Sequence, residues 1–264
     1  MTLTLTILGC GSSGGVPRPA LGWGRCDPAN PKNRRRRCSL LVERRTESGE
    51  RTRVLVDTSP DLREQLLDAE VRRIDAVIMT HAHADHLHGI DDLRAVNRLM
   101  REPIALHADA KTLAEIEQRF GYVFEPVPPD GFFYKPTLTP HVIDGPFTAA
   151  GVPFAPFAQD HGYGTTLGLR VGAFAYSTDV TELDDSAFAA LTGIDAWIVD
   201  CLRYEPHPTH SHLARTLTWI ERVKPKRAVL THLDRPLDYA QLAARLPSGV
   251  EPGLDGLVIE LPDP

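Results

Sequence analysis

The chain alternates between two periodicities. Apolar, β-rich runs at residues 3–8, 39–43, 53–56, 76–80, 152–158, 166–171, 173–177, 196–199, 227–231 and 257–261 predict strands. Between them, residues 61–69, 85–100, 110–120, 186–191, 210–223 and 237–245 carry apolar positions at helical spacing, with Gly, Pro or Asp near many of the boundaries. Strands that alternate with amphipathic helices imply sheets covered by helices, because each apolar face must be buried against another element.

Two stretches break this rhythm. Residues 9–33 are dense in Gly and Pro, and residues 122–145 carry Pro126, Pro128, Pro129, Pro136 and Pro140. Both predict loops, and loops of this length inside a compact domain are often functional. The second could be a linker, but the patterns on its two sides are alike and the candidate ligands below fall on both sides. A single domain over residues 1–264 is therefore expected. No fixed-period repeat is present.

Composition and charge narrow the function classes. With 42% hydrophobic and 24% charged residues the sequence is that of an ordinary globule. A formal net charge of -6, from 35 acidic and 29 basic groups, argues against general nucleic-acid binding through phosphate neutralisation. The opening segment alternates like a strand and lacks the pattern of a secretory signal, and no apolar run approaches the roughly 20 residues of a membrane helix. A cytoplasmic protein without membrane contact is expected. Cys10, Cys26, Cys38 and Cys201 are widely spaced with no CxxC pair, so reduced thiols are expected rather than a disulfide framework.

The candidate chemistry is concentrated in Thr80-His81-Ala82-His83-Ala84-Asp85-His86, directly after an apolar run. In an extended loop His81 and His83 project to one side, and Asp85 and His86 at a helix start can turn back toward them, an arrangement that can serve two adjacent metals. The spacing differs from the helical HExxH zinc motif. Other strand ends repeat the design: Asp57, Asp179, Asp200 and His232 each close an apolar run, and His161 follows another. Singly, each is explained as a capping Asp or a hydrogen-bonded His. Strands whose C-terminal ends share an edge would gather them into one crevice.

The set His81-x-His83-x-Asp85-His86, His161, Asp179 and His232, with Asp57 ahead of it, resembles the metal signature of the metallo-β-lactamase superfamily of hydrolases. The resemblance implies an αββα four-layer sandwich, two mixed β-sheets flanked by helices. It implies two divalent metal ions, zinc or manganese, with His81, His83 and His161 on one, Asp85, His86 and His232 on the other, and Asp179 bridging. Asp57 would support the ligands from behind.

Further stretches narrow the resemblance: Leu8-Gly9-Cys10-Gly11-Ser12-Ser13-Gly14-Gly15-Val16-Pro17, Arg37-Cys38-Ser39, Asp200-Cys201 followed by His210, Leu230-Thr231-His232, and Leu246-Pro247-Ser248-Gly249 with Leu254-Asp255-Gly256. They are similar to the phosphoribosyl cyclic phosphate phosphodiesterase branch, itself similar to tRNA 3′-processing endonucleases. The resemblance implies hydrolysis of a small cyclic phosphate or nucleotide-like phosphodiester by a metal-bridging hydroxide. Asp85 and Asp179 would fix the metal spacing and lower the site's charge, and His210 would protonate the leaving alkoxide or stabilise phosphate charge, with His212 the weaker candidate. That branch also holds a structural zinc on a cysteine cluster and a later histidine. Here the corresponding positions offer Cys26 and Arg235, so no structural zinc is expected.

The implied partner is a small anionic phosphodiester, and a homodimer is admissible. Two alternatives belong to other classes: a thioesterase or lactonase using the same metals, and a non-catalytic accessory protein of cofactor biosynthesis. His88 reads as a minor supporting residue, and His107, His141 and His207 as surface or loop histidines. The run from Lys32 to Arg37 reads equally as a solvated charge run or as a steering patch for anions.

Overall fold

The computed structural model describes residues 2–127 and 131–263; Pro128 and Pro129 of the proline-rich stretch lie outside the described residues. The chain forms the two mixed β-sheets flanked by helices of the metallo-β-lactamase fold. It divides into two compact units, one of Met1–Leu8, Ser39–Pro153 and Val258–Asp263, the other of Gly9–Cys38 and Phe154–Leu257.

In the first unit the elements are β1 (Thr2–Gly9), β2 (Ser39–Arg45), β3 (Arg51–Val56), α1 (Leu62–Asp68), β4 (Ala76–Ile78), α2 (Ala84–Leu87), α3 (Leu93–Met100), β5 (Ile104–Ala108), α4 (Ala110–Phe120), β6 (Leu138–Val142) and β7 (Phe147–Ala149), joined at the C-terminal end by β14 (Val258–Pro262). Its sheet runs β14-β1-β2-β3-β4-β5-β6. Strands β3 to β6 are mutually parallel and β2 pairs antiparallel with β3. Leu55, Ile74, Val77, Leu93, Leu106 and Ile116 are fully buried in one apolar cluster beneath the helices. Burying side chains of this size stabilises by roughly 1.5–3 kcal/mol each, which is what holds the helices to the sheet.

The second unit contains most of β8 (Val152–Asp160), then β9 (Thr165–Val171), β10 (Phe174–Ser177), α5 (Asp185–Ala190), β11 (Ala196–Asp200), α6 (Leu213–Val223), β12 (Arg227–Thr231), α7 (Tyr239–Ala243) and β13 (Val250–Pro252). Its strands run in the order β13-β12-β11-β10-β9-β8. Strands β10 to β13 are parallel, so their C-terminal ends lie along one edge. Trp197, Val199, Leu230, Leu233 and Trp219 form the core between this sheet and its helices.

Several elements differ from the periodicity, each for a physical reason. The helix predicted over residues 85–100 is split into α2, a 3-10 turn at Ile90–Asp92 and α3. Gly89 lies so close to the Ser59 carbonyl that a Cβ there would overlap it, and the Gly89 N–H donates to Thr58 O at 2.9 Å. Inside the stretch read as a loop, residues 138–142 form β6; it is an edge strand, where Pro140 breaks no ladder it needs. Strands β5, β7 and β13 were not in the pattern; two of them span only three residues. Helix α6 starts at Leu213 rather than at residue 210, because its N-cap residue His212 is in extended backbone and bridges to Arg203.

His107 is no surface or loop residue. It is buried on β5, stacked on His141 of β6 at 4.8 Å, and burial together with His141 lowers its pKa to about 4. The basic run is solvated only in part: Lys32 and Arg34 are exposed, whereas Arg35 is 2% exposed and donates to Leu237 O at 2.7 Å, and Arg36 pairs with Asp255 at 3.1 Å. No disulfide joins the four cysteines. Among the described residues no helix is long and apolar enough to cross a membrane.

Candidate functional site

The first unit gathers His81 and His83 from the segment between β4 and α2 and Asp85 and His86 from α2 itself, with Asp57 behind them. Asp57 follows the last residue of β3 and holds φ 63°, a left-handed conformation that aspartate tolerates better than most residues. From there its fully buried carboxylate accepts from Thr80 N at 2.8 Å, from Thr80 Oγ1 at 2.8 Å and from His86 Nδ1 at 2.7 Å. Burial pushes the Asp57 carboxyl up, while His86 and the Thr80 bonds pull it down. The Asp57–His86 bond fixes Nδ1 as the protonated nitrogen of His86 and turns Nε2 toward Asp85 Oδ2, at 3.5 Å. The ring of His81 packs against His83 and His86, with centroids 4.5 and 4.4 Å apart. Thr58 Oγ1 donates to Leu87 O at 3.0 Å, tying α2 to the segment that follows β3. His88 caps this short helix, its ring edge-on to Phe120 at 5.5 Å, where it supports packing rather than the cluster.

The second unit gathers His161, Asp179, His210 and His232 at the ends of its strands. Asp179, two residues beyond β10, and His232, one beyond β12, hold φ 54° and 56°. A left-handed histidine is uncommon, and strain of order 1–3 kcal/mol of this kind is retained where the surroundings impose it, often at functional sites. Asp179 faces three imidazoles: His232 Nε2 at 3.5 Å, His161 Nε2 at 3.7 Å and His210 Nε2 at 3.9 Å. His161 Nδ1 donates to Thr209 O at 2.6 Å, and His210 Nδ1 bonds to Asp200 Oδ2 at 2.9 Å, so both rings turn Nε2 toward Asp179. Gly162, at φ 80°, makes the first of these bonds feasible: a Cβ there would sit 2.5 Å from Pro208 O.

These separations fit a metal. They exceed the 2.7–3.2 Å of a good N–H···O bond, whereas an ion bonded tetrahedrally at about 2.1 Å to nitrogen and oxygen holds its donors roughly 3.4 Å apart. Neutral imidazole and carboxylate are the donor chemistry that zinc, manganese or iron accepts. In the second unit one ligand atom each from Asp179, Asp200, His210 and His232 lies within 4.8 Å of the others. Buried oxygens and nitrogens at this density suit a cation better than they suit one another.

Two residues of this constellation lie outside the motif. Asp200 closes an apolar run and so was visible as a strand end, but nothing in the sequence assigned it a partner; it accepts from both His210 and the Val180 N–H, at 3.0 Å. His207, read as a loop histidine, has its ring 5.3 Å from that of His210. His212 stands at the N-cap position of α6, away from the cluster.

Comparison with known proteins gives the family. Residues 52–233 match the family described as Beta-lactamase superfamily domain. A crystal structure titled as a new diphosphatase from the PhnP family is 34% identical, covers 99% of this chain and 98% of that one, and superposes with a TM-score of 0.89. The Zn(2+)-bound PqqB from Methylobacterium extorquens shares the fold at 20% identity, with 98% and 100% coverage and a TM-score of 0.74. A curated octanoyltransferase of Porphyromonas gingivalis (strain ATCC BAA-308 / W83) is 33% identical over 256 residues, 95% of this chain. The chain spans about half the length of that relative, 50% of it. By the matched family and by its likeness to the diphosphatase, the chain belongs to the metallo-β-lactamase superfamily of hydrolases, in the branch of the PhnP family.

Proposed function

We propose that this chain, acting as one domain, is a binuclear metal-dependent phosphodiesterase for a small cyclic phosphate or nucleotide-like diester. The observation that carries the reading is the Asp179 carboxylate, whose two oxygens face three imidazoles at 3.5–3.9 Å. A single carboxylate shared in this way suits two ions better than one. His81, His83 and His161 would hold one ion, Asp85, His86 and His232 the other, and Asp179 both; zinc or manganese is the expected metal. Bound there, the ions would supply Lewis acidity toward phosphoryl oxygens and lower the pKa of water.

The protein's own groups do the rest. Asp57 and Thr209 fix the tautomers and aim of His86 and His161, so ligands need no reorganisation when substrate arrives. Asp200 holds the His210 ring by Nδ1 and leaves Nε2 to carry a proton to the departing alkoxide or to bond a phosphoryl oxygen. The non-catalytic alternative is disfavoured because every ligand position is filled.

One observation favours a second reading, cleavage of an acyl thioester or lactone: the curated relative is named for octanoyl transfer. A substrate panel separates them. Zinc- and manganese-loaded protein is expected to hydrolyse bis-p-nitrophenyl phosphate and a 2′,3′-cyclic nucleotide, with little turnover of an octanoyl thioester, S-lactoylglutathione or an acyl-homoserine lactone. Acyl turnover exceeding diester turnover by orders of magnitude would replace the phosphodiesterase reading while leaving the metal site in place.

A further inference from the structure

Behind His232 the second unit buries a charge. The Arg35 side chain is shut off from solvent, and among the described residues it makes no ion pair. Its Nη2 donates to Leu237 O at 2.7 Å, and its Nη1 to Asp234 O at 3.4 Å and to the Cys26 sulfur at 3.9 Å, while the buried Nε has no partner. Taking an ion out of water costs several kcal/mol, and a well-packed apolar side chain of similar volume often serves stability as well or better. What an apolar side chain lacks is the fork that grips two carbonyls.

Those carbonyls belong to the turn that follows His232. The Leu237 N–H donates to Asp234 O at 3.0 Å and closes the turn, so the Arg35 fork spans its two ends. His232 itself holds φ 56°, a conformation that persists only where the surroundings impose it. The segment that carries Arg35 imposes it from the C-terminal side: the Leu233 N–H donates to Cys10 O at 2.8 Å, and the Ser12 N–H to Leu233 O at 3.2 Å. Arg35 carries this hold onward to positions two and five residues past His232. The backbone of Arg35 is fixed in its turn, with N–H and C=O both paired to Val16 at 2.9 Å. Gly11 leaves room for it, since a Cβ there would stand 2.9 Å from Arg35 Cβ. Asn33 ties the same segment to the start of α7, donating to Asp238 at 2.6 Å and accepting from Tyr239 N at 2.7 Å.

We propose that Arg35 is a positioning residue: its buried guanidinium locks the turn after His232 and so sustains the left-handed backbone that presents the His232 imidazole to Asp179. The inference rests on the binuclear reading above for its consequence and deepens it, because the ion that His232 helps to hold then depends on Arg35 and the other ion does not. Methionine in its place fills the volume without donors. Lysine keeps the charge as a single point that cannot span both carbonyls. In either variant Asp234 O keeps the Leu237 N–H and Leu237 O keeps the Cys26 thiol, so the turn is loosened rather than dismantled.

The test compares Arg35→Met and Arg35→Lys with wild type, first without metal and then by titration with zinc. In metal-free Arg35→Met, hydrogen exchange at the Leu233 and Asp234 amides is expected to speed up about tenfold or more, while the amides of β11 keep the wild-type rate. The thermal midpoint should stay close to that of wild type or rise, since a desolvated charge has been replaced by an apolar side chain. Zinc should then show one site as tight as in wild type and one weakened about tenfold or more, the size of effect that loss of ligand support produces. A residue that only stabilises the fold would act otherwise: a lowered midpoint with both zinc sites weakened equally overturns the proposal, and so do unchanged exchange at Leu233 and Asp234 or unchanged affinity at both sites of a metal-binding wild type. If wild type takes up no metal yet the two amides exchange faster in Arg35→Met, the binuclear reading falls and the positioning role stands. Should Arg35→Met fail to fold, Arg35→Lys carries the same comparison, and wild-type exchange at the two amides in that variant overturns the role of the fork.

Discussion

The two units supply functional side chains in opposite ways. In the first, His81, His83, Asp85 and His86 stand within one turn, and a single buried carboxylate, Asp57, ties that turn together through Thr80 and His86. In the second, His161, Asp179, His210 and His232 come from segments separated by tens of residues, and two of the strand-end backbones are left-handed. Local spacing does the positioning in one. The parallel register of β10, β11 and β12 does it in the other, while left-handed backbone at a strand end, Asp57 in one and Asp179 and His232 in the other, is common to both.

The largest break of this comparison is at the residue on which the second unit converges. Asp179→Ala removes the group facing three imidazoles, whereas His83→Ala removes one exposed ligand candidate from a turn that keeps its Asp57 anchor. Wild type reconstituted with zinc or manganese is expected to bind about two equivalents of metal, and Asp179→Ala less than about one, with kcat/KM lowered by about 10³ or more. His83→Ala should retain more metal than Asp179→Ala. Elemental analysis of the three proteins decides it, and a wild type without metal after reconstitution would remove the metal reading.

Next in size is His210, which the second unit holds like a ligand but which the proposed chemistry uses as a proton carrier. His210→Ala is expected to keep its metal and lose about 10²- to 10⁴-fold in kcat on a ribosyl diester, and less on bis-p-nitrophenyl phosphate, whose nitrophenolate leaves without a proton. Loss of one metal equivalent instead would make His210 a ligand in company with Asp179 and His232, which its position also permits.

The same contrast explains what could be read from the sequence. The His81–His86 turn was legible because its chemistry is a spacing, and β12 at Arg227–Thr231 and α4 at Ala110–Phe120 because each is periodic to its ends. The second unit's candidates were legible as polar residues at strand ends, and resemblance to a family supplied their assignment to particular metals. Asp200 against His210 was not legible, since a hydrogen bond across ten residues depends on where β11 stops and α6 starts. The split of residues 85–100 was hidden for a related reason: only a close backbone contact at Gly89 forbids the continuous helix that the apolar pattern favours.

The supporting carboxylates give a finer test, because Asp57 and Asp200 each hold one imidazole from behind. Asp57→Asn and Asp200→Asn keep shape and remove charge, and changes of this type typically lower metal affinity or activity by about 10–100-fold. Asp57 serves Thr80 as well as His86, and Asp200 serves Val180 N–H as well as His210. The expected difference lies in the readout: Asp57→Asn should weaken metal affinity, and Asp200→Asn should lower kcat with metal retained. Equal losses of metal in both variants would erase the distinction between a ligand support and a proton-carrier support.

The smallest effect separates the units without touching the site. All four cysteines and Trp23, Trp197 and Trp219 belong to the second unit, so thiol labelling and tryptophan fluorescence report on that unit alone. Each cysteine is 3% exposed or less. Burial raises the Cys10, Cys26 and Cys201 thiols, with the Asp255 carboxylate adding to the rise at Cys10 and Asp200 at Cys201. A thiol must be both reached and ionised to attack a disulfide reagent, and here neither condition is met in the folded state. In native buffer near pH 8, 5,5′-dithiobis(2-nitrobenzoate) is therefore expected to label less than about one of the four thiols over the minutes in which an exposed cysteine reacts fully. With rising denaturant, labelling should follow the tryptophan transition, because opening the second unit is what exposes both. Rapid labelling at a denaturant concentration where fluorescence is still native would show that the Gly-rich segment bearing Cys10, Cys26 and Cys38 opens apart from the sheet that carries Asp179 and His232.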